Sequence, residues 1–426
     1  MKDNKLGIMP ISKLIWNMSL PIIVSMLVQA LYNIVDSVFV SQVSEQALTA
    51  VTLAFPAQNL MIGLATGTAV GVNALLGRAL GAGDGKRADQ VAINGIFLAV
   101  VGFVLSAVLA LCFAGTFFRT QTDIDYIVDN GITYLRICCC ASLGMFCEIM
   151  FERLLQGTGR SILSMYTQGL GAIVNIVLDP IFIFVFKMGV AGVATATVIS
   201  NFFSACMILY FLTHEEEMLR LDFRKLRIRW EYLLGIIKIG LPAGLQSMVF
   251  SLSNVVIQAA INSFGSDGIA GSTAEQNFEF MAYFVINAFA QTATTFTSQN
   301  FAAQDKERCK KIYRLCTFIG LASCLGLSLI FLIGRHLFIQ IFSTDENVIH
   351  YAMIRMWSVC LLELLTGVYE ISGGCLRGMG HSMTPAVITV LGTCVFRLVW
   401  VNTIYAAHRS YLMLMIVYPV SVSYTH

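Results

Sequence analysis

The sequence predicts an all-α membrane protein with twelve transmembrane helices in two parallel lobes of six. Three observations support this fold class. The 426 residues are 57% hydrophobic and only 12% charged, whereas about a quarter of the residues in a soluble globular protein are charged. Apolar runs long enough to cross a ~30 Å hydrocarbon core recur along the whole chain. Displaced by 221 residues, the sequence also matches itself, so that Pro21 falls on Pro242 and Asn33 on Asn254.

The apolar runs define six candidate helices in each half. In the first half they lie near residues 14–40, 49–76, 91–115, 126–154, 161–186 and 190–212. In the second half they lie near residues 233–262, 270–298, 311–333, 347–375, 382–407 and 411 to the end. Because six spans return a chain to its starting side, the two halves share one orientation and form a parallel repeat. We expect the last helix to be truncated, since the apolar pattern is lost over residues 422–426.

The longest connection between apolar runs separates the two predicted domains. These are an N-lobe over residues 1–212, a linker over 213–231 and a C-lobe over 232–426. Basic residues are concentrated in the linker and in every second connection, as Lys86, Arg87 and Arg308 illustrate. Positively charged connections remain on the cytoplasmic side of a membrane. We therefore expect the N-terminus and the linker to lie in the cytoplasm.

Three acidic residues interrupt the apolar helices of the first half. They are Asp36 in LVQALYNIVDSVFVS, Asp179 in VNIVLDPIFIF and Glu152 just before LLQGTG. A charged side chain at mid-membrane costs at least ~2.5–3.5 kcal/mol, so each of these acids needs a reason. In the second half, Asp36 corresponds to Ile257 and Asp179 to Trp400. Polar residues that serve the fold tend to survive in both copies, so acids present in one copy indicate a function.

Two neighbouring carboxylates in a medium of low dielectric constant do not both stay ionised, so they take up a proton or a cation. We therefore predict that Asp36 and Asp179 bind a coupling ion, either H⁺ or Na⁺. Asn175 lies one helical turn before Asp179 on the same face. Gln29 and Asn33 form one polar stripe with Asp36 and are predicted to line a substrate cavity. The alternative for both acids is that they only hydrogen-bond neighbouring helices.

Other residues have more open interpretations. Glu152 either joins the coupling group or pairs with Arg153 or Arg160. Pro21 either lets the first helix bend around the site or is an ordinary proline near a helix start. Glu275 and Glu279 of the second half are predicted to line the substrate cavity and attract cations.

The sequence excludes several other function classes. LGAGDGK, over residues 80–86, lacks the GxxxxGK[ST] frame of a phosphate loop. The histidines are scattered, and the twelve cysteines lack metal-ligand spacing. A net charge of +2 gives no reason to expect a nucleic-acid partner. We therefore expect a transporter without a cofactor, driven by an ion gradient, and not an enzyme.

Several strings, by their order and spacing, resemble the multidrug and toxic compound extrusion (MATE) transporters over nearly the whole chain. They are LVQALYNIVDSVFVS, ALTAVTLAFP, GRALGAGDGKRAD, LLQGTGRS, NIVLDPIFIF, LPAGLQS, SQNFAAQDKERCKK and CLRGMGHSMTP. The resemblance, closest to the proton-coupled prokaryotic type, implies a V-shaped antiporter with two lobes in the bacterial inner membrane. It would act as a monomer and export amphiphilic organic cations by alternating access, in exchange for H⁺ or Na⁺.

The resemblance also implies roles for individual residues. Asp36 and Asp179 would hold the coupling ion, with Asn175 and Thr197 assisting, and some relatives use an acid at the position of Glu152. Other branches place a coupling aspartate on the tenth helix, where this sequence has Thr366, which favours the site in the N-lobe. The alternative is that Glu363 or Glu370 substitutes for that aspartate. The alternative function is a lipid-linked saccharide flippase of the same superfamily, which would need more basic residues around its cargo.

Overall fold

The computed structural model describes residues 9–214 and 227–423, which form helices and no strand. The first half contains α1 (Ile11–Val43), α2 (Glu45–Gly81), α3 (Gly85–Arg119), α4 (Asp125–Cys140 and Leu143–Gly157), α5 (Ser161–Val185) and α6 (Val190–His214). The second half contains α7 (Trp230–Asn262), α8 (Gly265–Ala302), α9 (Lys306–Ile333), α10 (Glu346–Gly378), α11 (Met383–Tyr405) and α12 (Tyr411–Ser423). A short helix, Arg335–Gln340, lies between α9 and α10. These helices follow the predicted order.

Most of these helices are suited to a bilayer. Within the described ranges, nine are long and apolar enough to cross a membrane, and α4, bent by 47° between its two parts, makes a tenth. The long helix α8 falls outside this group because it carries Glu275, Glu279 and a second half rich in Thr, Ser, Gln and Asn. The apolar helix α12 is described only as far as Ser423. The predicted all-α, multi-pass membrane fold is confirmed.

The described residues divide into two compact units. The first unit contains residues 20–214 and 227–244, and the second contains residues 9–19 and 245–423. Both α1 and α7 are therefore divided between the units, close to Pro21 and Pro242. Most of the predicted linker lies outside the described residues, at 215–226. The domain boundaries given by the sequence stay a prediction.

The turn before α3 and the turn before α9 have the same construction. The carboxylate of Asp84 accepts a hydrogen bond from the Arg87 N–H at 3.0 Å, and Asp305 accepts one from the Arg308 N–H at 2.9 Å. Such caps satisfy N–H groups that have no partner inside the helix. Gly83 and its counterpart Gln304 both have positive φ angles, of 77° and 61°. The LGAGDGK string is thus a capped turn between two helices.

Small residues allow α2 to pack against the first part of α7 within the first unit. A Cβ atom added to Gly67 would lie 2.6 Å from the Cα of Gly244, and one added to Gly240 would lie 2.6 Å from the carbonyl oxygen of Gly67. Close backbone approach of this kind is typical of helix packing in membranes. The corresponding place in the second unit is held by a hydrogen bond of 2.9 Å between the hydroxyls of Ser19 and Thr292.

Candidate functional site

A change of helix type positions Asp179 in the first unit. The α-helical part of α5 ends at Pro180, and a wider π-helical turn, Ile181–Val185, completes the helix. Proline has no N–H and disturbs the preceding turn, and π-helical turns are frequent at functional sites. Gly192 brings the start of α6 against this turn, since a Cβ there would lie 3.0 Å from the carbonyl carbon of Phe182. The wider turn therefore begins two residues after Asp179, whose carboxyl group is buried inside the first unit.

The structure brings the predicted acid pair together. The carboxyl groups of Asp36 and Asp179 lie within hydrogen-bonding range of each other. Asp179 is 0% exposed, and neither of its oxygens accepts a hydrogen bond from any conventional donor in the described part of the chain. Two carboxyl groups form a hydrogen bond only when one of them is protonated. The pair is therefore a place that requires a proton, or a cation shared between its oxygens.

The predicted helper residues differ in their placement. Asn175 is 1% exposed, and neither its amide nitrogen nor its amide oxygen has a hydrogen-bond partner among the described residues. Its position one turn before Asp179 leaves a buried amide oxygen that can coordinate a hard cation. The hydroxyl of Thr197 instead donates to the Val193 carbonyl oxygen at 3.0 Å, within α6. A role for Thr197 in ion binding stays a prediction.

The polar stripe of α1 faces two environments. Gln29 and Asn33 are exposed, whereas Asp36 is half-buried. The Gln29 side chain forms a hydrogen bond with Tyr32, which lies within electrostatic range of Asp36. Pro21 is buried inside the unbroken helix α1. The cavity role of Gln29 and Asn33 and the bending role of Pro21 stay predictions.

A second pair of acids lies near Tyr32, on the second part of α4. Glu152 accepts a hydrogen bond from the Ser164 hydroxyl at 3.1 Å and lies near Arg153. Glu148, one turn earlier, is buried and hydrogen-bonded to Ser204. Glu148 was not among the residues predicted from the sequence, although its spacing of four residues from Glu152 was the available signal.

Unlike Glu152, three of these acids have no basic neighbour. None of the described Lys, Arg or His side chains pairs with Asp36, Asp179 or Glu148. Burying an ionised carboxylate without a partner is costly, and such groups bind a proton instead. The described part of the first unit therefore contains three carboxyl groups with no cationic side chain beside them to balance an ionised form.

The equivalent positions of the second unit are apolar. Ile257, the counterpart of Asp36, is fully buried in a hydrophobic cluster, and Phe396 and Trp400 pack against the same cluster. These two aromatic residues correspond to Asn175 and Asp179 in the repeat. The same place in the fold is thus filled by carboxyl groups in one unit and by hydrocarbon in the other.

Two acids of α8 in the second unit, Glu275 and Glu279, are paired with one arginine. The guanidinium of Arg355 lies 2.8 Å from a Glu275 carboxylate oxygen and 2.7 Å from one of Glu279. Arg355 is 1% exposed, and it also donates to the Ser272 hydroxyl. Both glutamates were predicted to line a substrate cavity, and here they neutralise a buried cation. Contact between these glutamates and a substrate stays a prediction.

Arg397 has neutral partners. It donates to the Asn254 side-chain oxygen at 2.7 Å and to the Ser421 hydroxyl at 3.2 Å. Its guanidinium also lies 4.5 Å from the ring centroid of Tyr418, and Arg355 lies 5.4 Å from the same centroid. Tyr418 thus receives two cation–π contacts, which are favourable for a desolvated arginine.

Comparison with known proteins assigns both halves of the chain to one family. The MatE family model matches residues 21–181 and again residues 242–401, so the two matches begin 221 residues apart. A probable multidrug resistance protein NorM of Thermotoga maritima is 24% identical over 397 residues, covering 91% of this chain and 84% of the relative. The multidrug export protein MepA of Staphylococcus aureus is 23% identical over 396 residues, covering 92% and 87%.

Solved structures share the fold. A MATE protein in complex with MaL6 superposes with a TM-score of 0.93 at 23% identity, covering 100% of this chain and 96% of that one. A MOP superfamily transporter from Pyrococcus furiosus, described with a binding pocket of reverse polarity, gives 0.91 at 24% identity and the same coverage. Since the family model covers more than half of the chain, and both copies of the repeat match it, the chain belongs to the MatE family of MATE transporters.

Proposed function

We propose that this protein is a cation-coupled multidrug antiporter that exports amphiphilic organic cations in exchange for H⁺ or Na⁺. The coupling ion binds at Asp36 and Asp179. The observation that carries the proposal is the contact between these two carboxyl groups without a basic partner. The names of the similar proteins, a multidrug resistance protein and a multidrug export protein, support the choice of cargo.

The chemistry of exchange follows from charge balance. With the acid pair ionised, the first unit carries negative charge that attracts a cationic drug. A proton or Na⁺ at Asp36 and Asp179 removes that charge, so the drug binds less tightly. A ligand shifts a conformational equilibrium only through its different affinity for the two states. The drug and the ion therefore favour opposite states, as antiport requires.

Glu148 and Glu152 add two further carboxyl groups to the acidic region around Asp36 and Asp179. Both lie in electrostatic range of Tyr32, as Asp36 does. In our proposal Glu152 receives the ion after the aspartate pair, and Glu148 adds a carboxyl group that attracts the drug. Asn175 supplies an uncharged oxygen to the ion. All these residues belong to the first unit, which agrees with a coupling site in one lobe only.

A lipid-linked saccharide is the alternative cargo. Its diphosphate would need cationic side chains that are free to bind it. The buried arginines of the second unit are already engaged, Arg355 by two glutamates and Arg397 by Asn254 and Ser421. This engagement favours organic cations over a diphosphate.

The test is ethidium transport by the purified protein in liposomes, with a pH gradient and a sodium gradient imposed separately. We expect one of the two gradients to drive ethidium movement. Asp36→Asn and Asp179→Asn are expected to fold and to reduce the driven transport to that of empty liposomes. Asp123→Asn, which changes an exposed aspartate of the same unit, is the matched control and should transport normally.

Two outcomes would overturn the proposal. Driven transport that survives both aspartate substitutions at equal protein content would remove the acid pair from coupling. Ethidium movement that neither gradient changes would remove antiport itself.

A further inference from the structure

A groove on the first unit, between the end of α3 and the first three turns of α4, combines charge with an apolar floor. Its volume is about 700 Å³, and Arg119 and Arg136 line it together with Thr116, Thr120 and Thr133. It shares no residue with the acid pair and lies at the ends of two helices. The transport mechanism proposed above gives it no role.

The two arginines of the groove are available to a ligand. Both are exposed, and neither guanidinium forms an ion pair or a hydrogen bond within the described part of the chain. Asp129 also lines the groove but pairs with neither arginine. Two guanidiniums and one carboxylate leave one net positive charge. Arginine binds phosphate strongly because its planar N–H groups match the phosphate oxygens.

The threonines contribute less than the arginines. The Thr120 hydroxyl donates to the Phe117 carbonyl oxygen, and the Thr133 hydroxyl donates to the Asp129 carbonyl oxygen, each at 2.8 Å. These two hydroxyls can only accept a hydrogen bond from a ligand. Thr116 is exposed and keeps its hydroxyl proton available. Recognition of an anion in this groove therefore rests on the arginines and Thr116.

The groove continues the lipid-facing side of α3. Val104 and Val108 are each 50% exposed, and in a membrane protein an exposed apolar stripe of this kind faces hydrocarbon. Cys112 and Gly115 follow on the same helical face and form part of the groove. A Cβ on Gly115 would have only the Ile132 side chain near it, at 3.9 Å. The floor beside the arginines is therefore open and apolar.

The depth of Arg136 supplies a reason for a ligand. It lies eleven residues after the start of α4 at Asp125, which is ~16 Å along the helix axis. Phe118 on α3 packs against Gly131 on α4, so the end of α3 lies beside the second turn of α4 and Arg136 lies deeper than Arg119. Below the bilayer surface, an exposed arginine costs free energy unless a phosphate or water reaches it. A lipid phosphate drawn into the groove satisfies it.

We propose that this groove binds an anionic phospholipid from the surrounding bilayer. The phosphate lies between Arg119 and Arg136, and one acyl chain follows Cys112 and Gly115 along α3. A headgroup with one net negative charge, as in phosphatidylglycerol, balances the net charge of the groove. This inference stands apart from the coupling site and does not depend on which ion drives transport.

Native mass spectrometry of the full chain, with phosphatidylglycerol and phosphatidylcholine of identical acyl chains, tests the proposal. We expect the protein to retain phosphatidylglycerol about fivefold more than phosphatidylcholine, which corresponds to the ~1 kcal/mol that one net positive charge contributes near a lipid surface. The double variant Arg119→Gln/Arg136→Gln should lose this preference. Arg409→Gln, which changes an exposed arginine outside the groove, should keep it.

A second variant, Gly115→Trp, blocks the groove without changing its charge. Gly115→Trp fills the floor and should reduce retention of both lipids, whereas Gly169→Trp, at a glycine with no atom within 4 Å of its Cβ position, should not. Inorganic phosphate at millimolar concentration should not displace the lipid, because it lacks the acyl chains. Equal retention of the two lipids by the wild type, or an unchanged preference in the double arginine variant, would overturn the proposal. Displacement by inorganic phosphate would assign the groove to a free anion instead.

Discussion

The pairing of Arg355 with two glutamates leads to a quantitative prediction. Replacing Arg355 with methionine removes contacts of 2.8 Å to Glu275 and 2.7 Å to Glu279. Methionine keeps much of the apolar stem, so the main change is electrostatic. Glu275 is 0% exposed, so its carboxylate would be left buried without a cation. Breaking a buried pair in this way costs about 3–5 kcal/mol, which is the expected loss in the free energy of unfolding.

The assay is reversible unfolding by sodium dodecyl sulfate in mixed micelles. The control is Arg377→Met, because Arg377 lies 3.7 Å from Glu370, further than Arg355 lies from its two glutamates. The longer contact makes this pairing the weaker one, and the hydrogen bond from Arg377 to Gln246, which involves a charged group, contributes about 1.5–3 kcal/mol. We expect Arg355→Met to be the more destabilising of the two.

The charge explanation also predicts a rescue. Adding Glu275→Gln and Glu279→Gln to Arg355→Met removes the uncompensated carboxylates and should restore most of the lost stability. If Arg355→Met costs no more than the Arg377 control, or if the triple variant is as unstable as the single one, the ion pair does not stabilise the second unit. In that case the two glutamates would again be candidates for substrate contact.

Three other predictions use the same unfolding assay. Ile257→Asp should cost about 3–5 kcal/mol, because it places a carboxylate in a fully buried apolar cluster, whereas Ile257→Leu should cost about 1 kcal/mol. Gly67→Leu should cost at least about 1–3 kcal/mol, because a Cβ would lie 2.6 Å from the backbone of α7, and Gly169→Leu is its control. Asp84→Ala and Asp305→Ala each remove one helix cap and should cost about 1 kcal/mol.

Each of these has its own contrary result. A tolerated Ile257→Asp would mean that water or a counter-ion reaches the apolar cluster around Ile257. Equal effects of the two glycine substitutions would show that the crossing of α2 and α7 is not tight. Clearly different losses in the free energy of unfolding for Asp84→Ala and Asp305→Ala would show that the two caps do not contribute equally to stability.

The fold was predictable because apolar run length and the internal repeat both report on it directly. The twelve predicted apolar runs correspond to α1–α12. The repeat also aligns Asp36 with Ile257, and the structure places the first beside another carboxyl group and the second in an apolar cluster. The bend in α4 and the π-helical turn after Pro180 were not predicted. Such irregularities depend on packing between helices, and hydrophobic periodicity does not record them.

The site was only partly predictable. The contact between Asp36 and Asp179 followed from their occurrence in one copy of the repeat. The pairing of Arg355 with Glu275 and Glu279 joins residues more than 75 positions apart, and one sequence gives no signal for such a pair. Arg355 and Glu279 also stand at positions that are neutral in the first half, where Gln58 donates to Tyr134 instead.

The division of α1 and α7 between the compact units has a practical consequence for work with fragments. Cutting the chain within residues 215–226 would give two polypeptides, one ending after α6 and the other beginning before α7. The first would lack residues 227–244, which complete its own unit, and the second would lack residues 9–19. Each fragment produced by itself would expose the surface that its missing segment covers. When the fragments are produced together, each should supply the segment that the other lacks, so that both units reassemble. The protein is therefore suited to split-protein complementation.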